Sequence, residues 1–328
     1  MKFESTAHYH CVSCGSSALT LIPQTRSDQE IIEGSLLCRR CRASYPVTGG
    51  IPRFASSDNY SQSFGFQWNL HGKTQLDSYT GWPISEQRLF AVTGWPYDMS
   101  GQLILEAGCG AGRFTECLLK TGAQVFSFDF SCAVDSNRRN NGQCERLELF
   151  QADMSRLPLE RRSFDRVMCF GVLQHTPDPG AYFESLAEMV RPGGQLVVDT
   201  YKKDLLSLLQ WKYVLRPITR RMNQLTLYLL VSRAVRILLP PARNIRRFAG
   251  RAGARMMPIV EYSHLGLRED LNEQWAILDT FDMYSPAYDH PQTQRTLKRW
   301  FSEVGFTDVS VRPGSNGLIG TGQRPNSA

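Results

Sequence analysis

An α/β fold, in which helices cover a mostly parallel sheet, is what the sequence predicts, with a small cysteine-rich module in front of it. Three features carry that expectation. Residues 103–112, LILEAGCGAG, run from an apolar strand signal through Glu106 into glycines at alternate positions, Gly108, Gly110 and Gly112, and a helical pattern opens at Arg113. Further apolar stretches follow at βα spacing, and strands that alternate with helices pair in parallel. Near the N-terminus, Cys11 and Cys14 form one Cys-x-x-Cys pair and Cys38 and Cys41 form a second.

The 328 residues suffice for one large domain or two smaller ones, and 42% hydrophobic with 21% charged residues is globular composition. The N-terminal stretch MKFESTAHYH has no apolar core, so no secretory signal is expected, and no uninterrupted apolar run approaches membrane-spanning length. Nine cysteines in that context point to a reducing, cytoplasmic compartment. The net charge of +6 is uneven: residues 202–255 hold thirteen Lys or Arg and one acid, Asp204, for +12, so the rest of the chain sums to −6.

In chain order, residues 1–55 read as a separate module. Four thiolates in two tight pairs suit one tetrahedral zinc that leaves no open position and is therefore structural. Redox chemistry or unpaired buried thiols are the alternatives, and His8 and His10 are read as surface residues. Residues 56–100 read as a connecting region. Ser56, Ser57, Asp58 and Asn59 form a linker, and the aromatic run 64–69 forms either a lid or a helix packed on the sheet edge. A short helix is expected over 85–92. After the glycine loop, a helix over 113–120, a strand over 125–128 ending at Asp129, a strand over 147–152 ending at Asp153, a strand over 163–170 and a helix over 181–190 are expected. Arg191-Pro192-Gly193-Gly194 is read as a turn into a strand over 195–200. The tail gives a polar, turn-rich stretch 281–291, a helix over 292–304 and strands over 307–312 and 317–320.

The dinucleotide fingerprint wants its third glycine or alanine five residues after the first, where this chain has Arg113, so NAD fits poorly. An acid two residues before a GxGxG run resembles motif I of class I S-adenosylmethionine (SAM)-dependent methyltransferases. The loop Gly171-Val172-Leu173-Gln174-His175-Thr176-Pro177 and the RPGG segment also resemble that family (the methyltransferase type 11 group, similar to the ubiquinone and menaquinone biosynthesis enzymes) in the right order over residues 100–200. The resemblance implies a Rossmann-like seven-stranded SAM methyltransferase sheet over 101–328. It implies that the glycines pass under the methionine and ribose, that Glu106 helps hold the amino group, and that Asp153 and Met154 flank the adenine. Phe170 and Gln174 complete the expected cofactor set. Asp129 also stands at the spacing of a ribose-diol acceptor. Residues 38–54, ending YPVTGGIPRF, resemble the end of zinc ribbons attached to or partnered with several methyltransferases.

The basic stretch 202–258 is long for a connection in such a fold. Its apolar runs 205–209 and 225–231, with Arg233, Arg236, Arg243 and Arg247 at helical spacing and a helix break expected at Pro240-Pro241, leave three readings open. These are a peripheral contact with an anionic membrane at the inner face, a groove for a phosphate-bearing substrate, and a helical cap with a solvated basic side. Nucleic acid ranks behind them, because few aromatics stand between the arginines.

For an acceptor hydroxyl, His175 is the first candidate base and His290 and Tyr284 the second. The leading expectation is methyl transfer from SAM to a small-molecule, sugar or lipid-linked acceptor. An RNA methyltransferase is the second enzyme reading, although Phe170-Gly171-Val172-Leu173 stands where an NPPY-type tetrapeptide would. A non-catalytic binding module is the third, and intact Glu106, Asp129 and Asp153 argue against it. Oligomeric state is not legible.

Overall fold

The computed structural model describes residues 1–27, 30–56, 58–203 and 210–326. Ser57, Asp204 and the apolar run 205–209 lie outside the described residues. The N-terminal part is a four-stranded antiparallel sheet in the order β1-β2-β3-β4: β1 Leu19–Ser27, β2 Glu30–Cys38, β3 Ser44–Thr48 and β4 Ile51–Pro52. Ile31, Leu36 and Cys38 of β2 turn to its inner side.

That core does not close within the module. Tyr9, Leu36, Tyr45 and Phe54 belong to one hydrophobic cluster with Phe128 and Phe150 of the larger domain, and the Tyr9 ring lies 5.6 Å from that of Phe150. Arg53 pairs with Asp135 at 2.5 Å, and the Phe54 N–H donates to the Gln151 carbonyl at 2.7 Å. The module of residues 1–55 therefore has its own sheet but shares its core, as a short sheet with little apolar area requires.

Three helices follow, α1 Gln62–Leu70, α2 Asp77–Thr80 and α3 Ile84–Thr93, the last closed by Gly94 in the left-handed conformation. The larger sheet contains β5 Leu103–Ala107, β6 Gln124–Asp129, β7 Leu147–Gln151, β8 Phe164–Phe170, β9 Val190–Thr200, β10 Thr307–Gly314 and β11 Gly317–Gln323. Its order is β10-β11-β9-β8-β5-β6-β7, with β5 to β9 parallel and the final hairpin antiparallel at the edge. Helices α4 Arg113–Leu119, α5 Val134–Asn141 and α6 Pro179–Met189 cover its faces. Burial on both faces accounts for the apolar run Leu103–Leu105 of β5, and it encloses even Glu148 and Gln151 of β7. The chain steps from β5 to β6 and β7 on one side, then crosses back to β8 on the other. The crevice at the carboxyl ends of β5 and β8 is thus the topological switch point.

Two boundaries differ from the sequence reading. The RPGG segment is not a turn before the strand, because β9 begins at Val190. Its pairing with β8 passes from Phe164–Val190 to Arg166–Gln195, so the extra residues form a bulge, with Gly193 at φ 74°. The second correction concerns the basic insertion. It forms α7 Trp211–Thr219 and α8 Gln224–Arg255, and α8 runs through Pro240-Pro241. Both prolines face solvent, so the carbonyls they leave without N–H partners can bond water. The departure from helical backbone falls at Gly250 instead. Leu227, Val231, Val235, Leu239 and Ala242 of α8 pack on Ala276, Ile277 and Phe281 of α9 Glu269–Tyr284, forming a second core. Helix α10 Gln294–Glu303 then leads into the edge hairpin.

Candidate functional site

The loop after β5 is held by its own sequence. Gly108, Gly110 and Gly112 have φ of 74°, 52° and 89°, a region that disfavours other residues. A Cβ on Gly108 would stand 2.2 Å from Val172, in the loop after β8, and one on Gly110 would stand 3.2 Å from Trp68. The aromatic run forms α1, and Trp68 stands over Gly110, with Phe64 and Trp68 lining the cavity beneath.

Asp129, at the end of β6, also lines that cavity. Its Oδ2 accepts from the Gly110 N–H at 3.0 Å, and its Oδ1 accepts from the N–H and hydroxyl of Ser131 at 2.8 and 2.7 Å. Burial pushes its carboxyl above the ordinary range, while these donors pull it back. Met154 and Phe170 line the same space with Phe128, Phe130 and Ala152. Asp153, between Ala152 and Met154, does not line the cavity, and its Oδ1 accepts from the Ser155 N–H at 2.8 Å.

With Asp153, four members of the expected set stand apart from the cavity wall. Glu106 is fully buried below the loop, where its Oε2 accepts from the hydroxyls of Thr115 and Ser127 at 2.5 and 2.6 Å and its Oε1 has no partner. Gly112 packs on Asn137, and Gln174 is completely buried with neither amide atom hydrogen-bonded.

The candidate bases separate. His175 is buried in the cavity wall between the rings of Phe64 and Tyr201, and its Nδ1 bonds the Tyr288 carbonyl at 3.0 Å. A carbonyl only accepts, so Nδ1 carries the proton and Nε2 is left as the acceptor. Burial lowers its pKa to about 4, which makes it a weak base at neutral pH. His290 is exposed, and only its backbone N–H reaches the site, donating to the Gln174 carbonyl. Tyr284 is the last residue of α9 and donates to the Pro258 carbonyl at 2.7 Å, inside the second core. Neither lines the cavity. The stretch 281–291 was read as a turn-rich segment, but its first four residues are helical.

The cavity, about 640 Å³, brings in groups the sequence reading missed. Asp279 and Asp282, one turn apart on α9, both face it. Tyr262 donates to Asp279, while Gln67 at 3.2 Å and Tyr201 at 3.5 Å donate to Asp282. Burial raises both carboxyls to about 6. Arg88 and Arg113 form part of the wall, with Arg88 2.6 Å from Asp199 and its buried Nε unpartnered, and Arg113 lowered to about 10 by burial. Lys212 and Arg216 of α7 complete it, both paired with Asp289 at 2.9 and 2.8 Å. The available signal was an acid pair at (i, i+3) inside the mostly apolar second half of the helix, Trp275–Tyr284.

In the N-terminal module, Cys11, Cys14, Cys38 and Cys41 bring their four sulfurs within 4.8 Å of one another. Cys11 and Cys41 are 3.5 Å apart, and Cys14 and Cys38 are 3.7 Å apart.

Part of this sheet, including the switch-point loop, is similar in sequence to known methyltransferases. Residues 105–198 match the family described as methyltransferase domain. A ubiquinone biosynthesis O-methyltransferase of Xylella fastidiosa is 30% identical over 133 residues, which is 38% of this chain and 54% of that protein. The chain thus spans about half the length of the curated relatives it matches. Among solved structures, the phosphoethanolamine N-methyltransferase 2 of Haemonchus contortus aligns over 86% of this chain and 64% of its own, at 13% identity and a TM-score of 0.48. A methyltransferase complex with the Trm112 activator from Haloferax volcanii aligns over 80% of this chain and 98% of that one, at 13% identity and a TM-score of 0.46.

The buried Glu106 carboxyl yields a prediction. Burial raises its pKa from 4.5 to about 7. The folded chain then holds a proton that the unfolded chain releases, so stability declines as pH rises from about 4.5 to 7 and stays lower above that. In Glu106→Gln, the amide oxygen can still accept from Thr115 and Ser127. Relative to the wild type, this variant should gain melting temperature between pH 5 and pH 8; a difference that does not change with pH would contradict the assignment.

Proposed function

We propose that the protein is a SAM-dependent methyltransferase acting on a small-molecule, sugar or lipid-linked acceptor. One observation carries this reading. Inside the stretch that matches a methyltransferase domain, the switch-point crevice joins a strained glycine loop to the Asp129 carboxylate, which faces a cavity of about 640 Å³. That volume suits a cofactor together with a modest acceptor. The O-methyltransferase relatives support a hydroxyl acceptor over RNA.

The residues present fit SAM. Asp129 would accept from the ribose hydroxyls, and Phe128, Phe130, Ala152 and Met154 would pack around the adenine. Arg88 and Arg113 supply the positive charge that an amino-acid carboxylate needs, and the buried, unpartnered Arg88 Nε is a donor for it. Bound SAM supplies an electrophilic methyl whose thioether leaving group is neutral. The chain's own work is to align the acceptor, exclude water and take a proton. Asp282 fits the last task better than His175, because a carboxyl near 6 is largely ionised at neutral pH and still basic enough to accept. Tyr201, which donates to Asp282 and packs on His175, holds the two groups in one wall.

Calorimetric titration with SAM and S-adenosylhomocysteine should show micromolar binding, weakened at least about tenfold by Asp129→Ala, which loses a charged hydrogen-bond partner. No binding to well-folded protein would overturn the reading. With an acceptor in hand, the rate should rise with pH through about 6, the pH at which Asp282 ionises. Asp282→Asn should lower kcat about 100-fold, with SAM affinity unchanged. A variant with the wild-type pH profile would remove Asp282 from this role.

The four sulfurs suit one structural zinc. Zn–S bonds of about 2.3 Å place tetrahedral thiolates about 3.7 Å apart, close to the two shortest separations here. Elemental analysis should give one zinc per chain. Cys38→Ser with Cys41→Ser should abolish it and lower the melting temperature, because the module shares its core with the sheet. A metal-free chain of the same stability would refute this.

A further inference from the structure

The outer side of the basic insertion has no counterpart in the proposed chemistry. Helix α8 over Gln224–Gly250 is long and apolar enough to cross a membrane by length and composition. However, one of its sides is already committed: Leu227, Val231, Val235, Leu239 and Ala242 pack on α9. The opposite side presents Leu225, Leu229, Leu230, Ile237 and Phe248, with Ile237 at 73% and Phe248 at 87% exposure. Trp211, Val214 and Ile218 of α7 and Met256, just after α8, are exposed as well.

Charge runs through the same surface. Residues 211–255 contain eleven Lys or Arg and no Asp or Glu. Lys212, Arg216, Arg236, Arg243 and Arg246 pair with acids of neighbouring segments. Arg233 and Arg247 are exposed on α8 among the apolar side chains. A surface that is apolar, aromatic at one end and positive throughout matches one environment, the boundary of an anionic lipid bilayer. There the apolar groups enter the acyl region and the arginines reach the headgroups. Packing of α8 on α9 means that the helix lies along the boundary and does not traverse it.

The same two helices wall the cavity. Lys212, Tyr213 and Arg216 of α7 and Arg255 of α8 line it. We propose that α7 and α8 form a docking surface for an anionic membrane and that the cavity receives its acceptor from that side. The docking stands on the helices alone; the acceptor's origin rests on the proposed methyl transfer.

The test is co-sedimentation of the full chain with vesicles of phosphatidylcholine alone and with phosphatidylglycerol added. Binding is expected only with the anionic lipid, weaker at high salt, and reduced at least about tenfold by Ile237→Asp with Phe248→Asp and by Arg233→Glu with Arg247→Glu. SAM titration of the same variants should match the wild type, which separates failure of docking from failure of the cofactor reading. No binding to anionic vesicles at low salt would overturn the proposal, as would binding that the variants do not alter. So would a wild-type dimer by analytical ultracentrifugation that Ile237→Asp dissociates, since a second copy would then cover this face.

Discussion

A buried carboxyl with two hydroxyl partners holds the centre of this molecule together. Glu106 stands on β5, Thr115 on α4 and Ser127 on β6, and Asn137 of α5 donates to the Thr115 hydroxyl at 2.8 Å. Four elements around the glycine loop are therefore joined below it by polar contacts that are removed from water. In this network Glu106 Oε1 is buried without a partner, and loss of the Thr115 hydroxyl would leave a second unpaired group, the Asn137 amide, at a cost of about 1–3 kcal/mol. The position of Gly110 follows from this, and so does the orientation of Asp129, whose carboxylate is fixed by the Gly110 and Ser131 N–H groups. The backbone around the glycine loop is thus held by contacts within the chain itself.

Much of that crevice was legible in the sequence, because its determinants are local. Apolar runs between turn residues marked each parallel strand, and the glycine spacing marked the loop. The Cys-x-x-Cys pairs marked the ribbon for the same reason, since a short turn aims both sulfurs at one point. What the sequence did not disclose depends on pairing over long distances. Asp279 and Asp282 gain their place only when α9 folds across the carboxyl ends of the strands. The Tyr201 hydroxyl meets Asp282, eighty-one positions later, only in three dimensions. Tyr284 and His290 were sound expectations for the segment and wrong for the side chains. The segment does cross the site, as the contact of the Tyr288 carbonyl with His175 shows, but Tyr284 turns into the second core and His290 turns outward.

The insertion after β9 shows a similar limit. Pro240-Pro241 signals a break wherever the freed carbonyls would be buried. Here they face solvent, so continuity of α8 was decided by which side of the helix packs, and one proline pair cannot reveal that. The outcome matters for the cavity, since α8 runs through the prolines and, after its kink at Gly250, brings Arg255 to the cavity wall.

The N-terminal module also changes what the larger sheet can join. In an open sheet, β7 would present a free edge to other chains. Here the chain's own opening segment occupies it: Ser5 bonds Glu148, Tyr9 packs on Phe150, and Arg53 bridges to Gln151. The module thus acts as an internal substitute for a neighbouring subunit along that side. Extension of the sheet by another copy is left to the opposite margin at β10, and the two ends of one sheet have acquired different capacities for assembly.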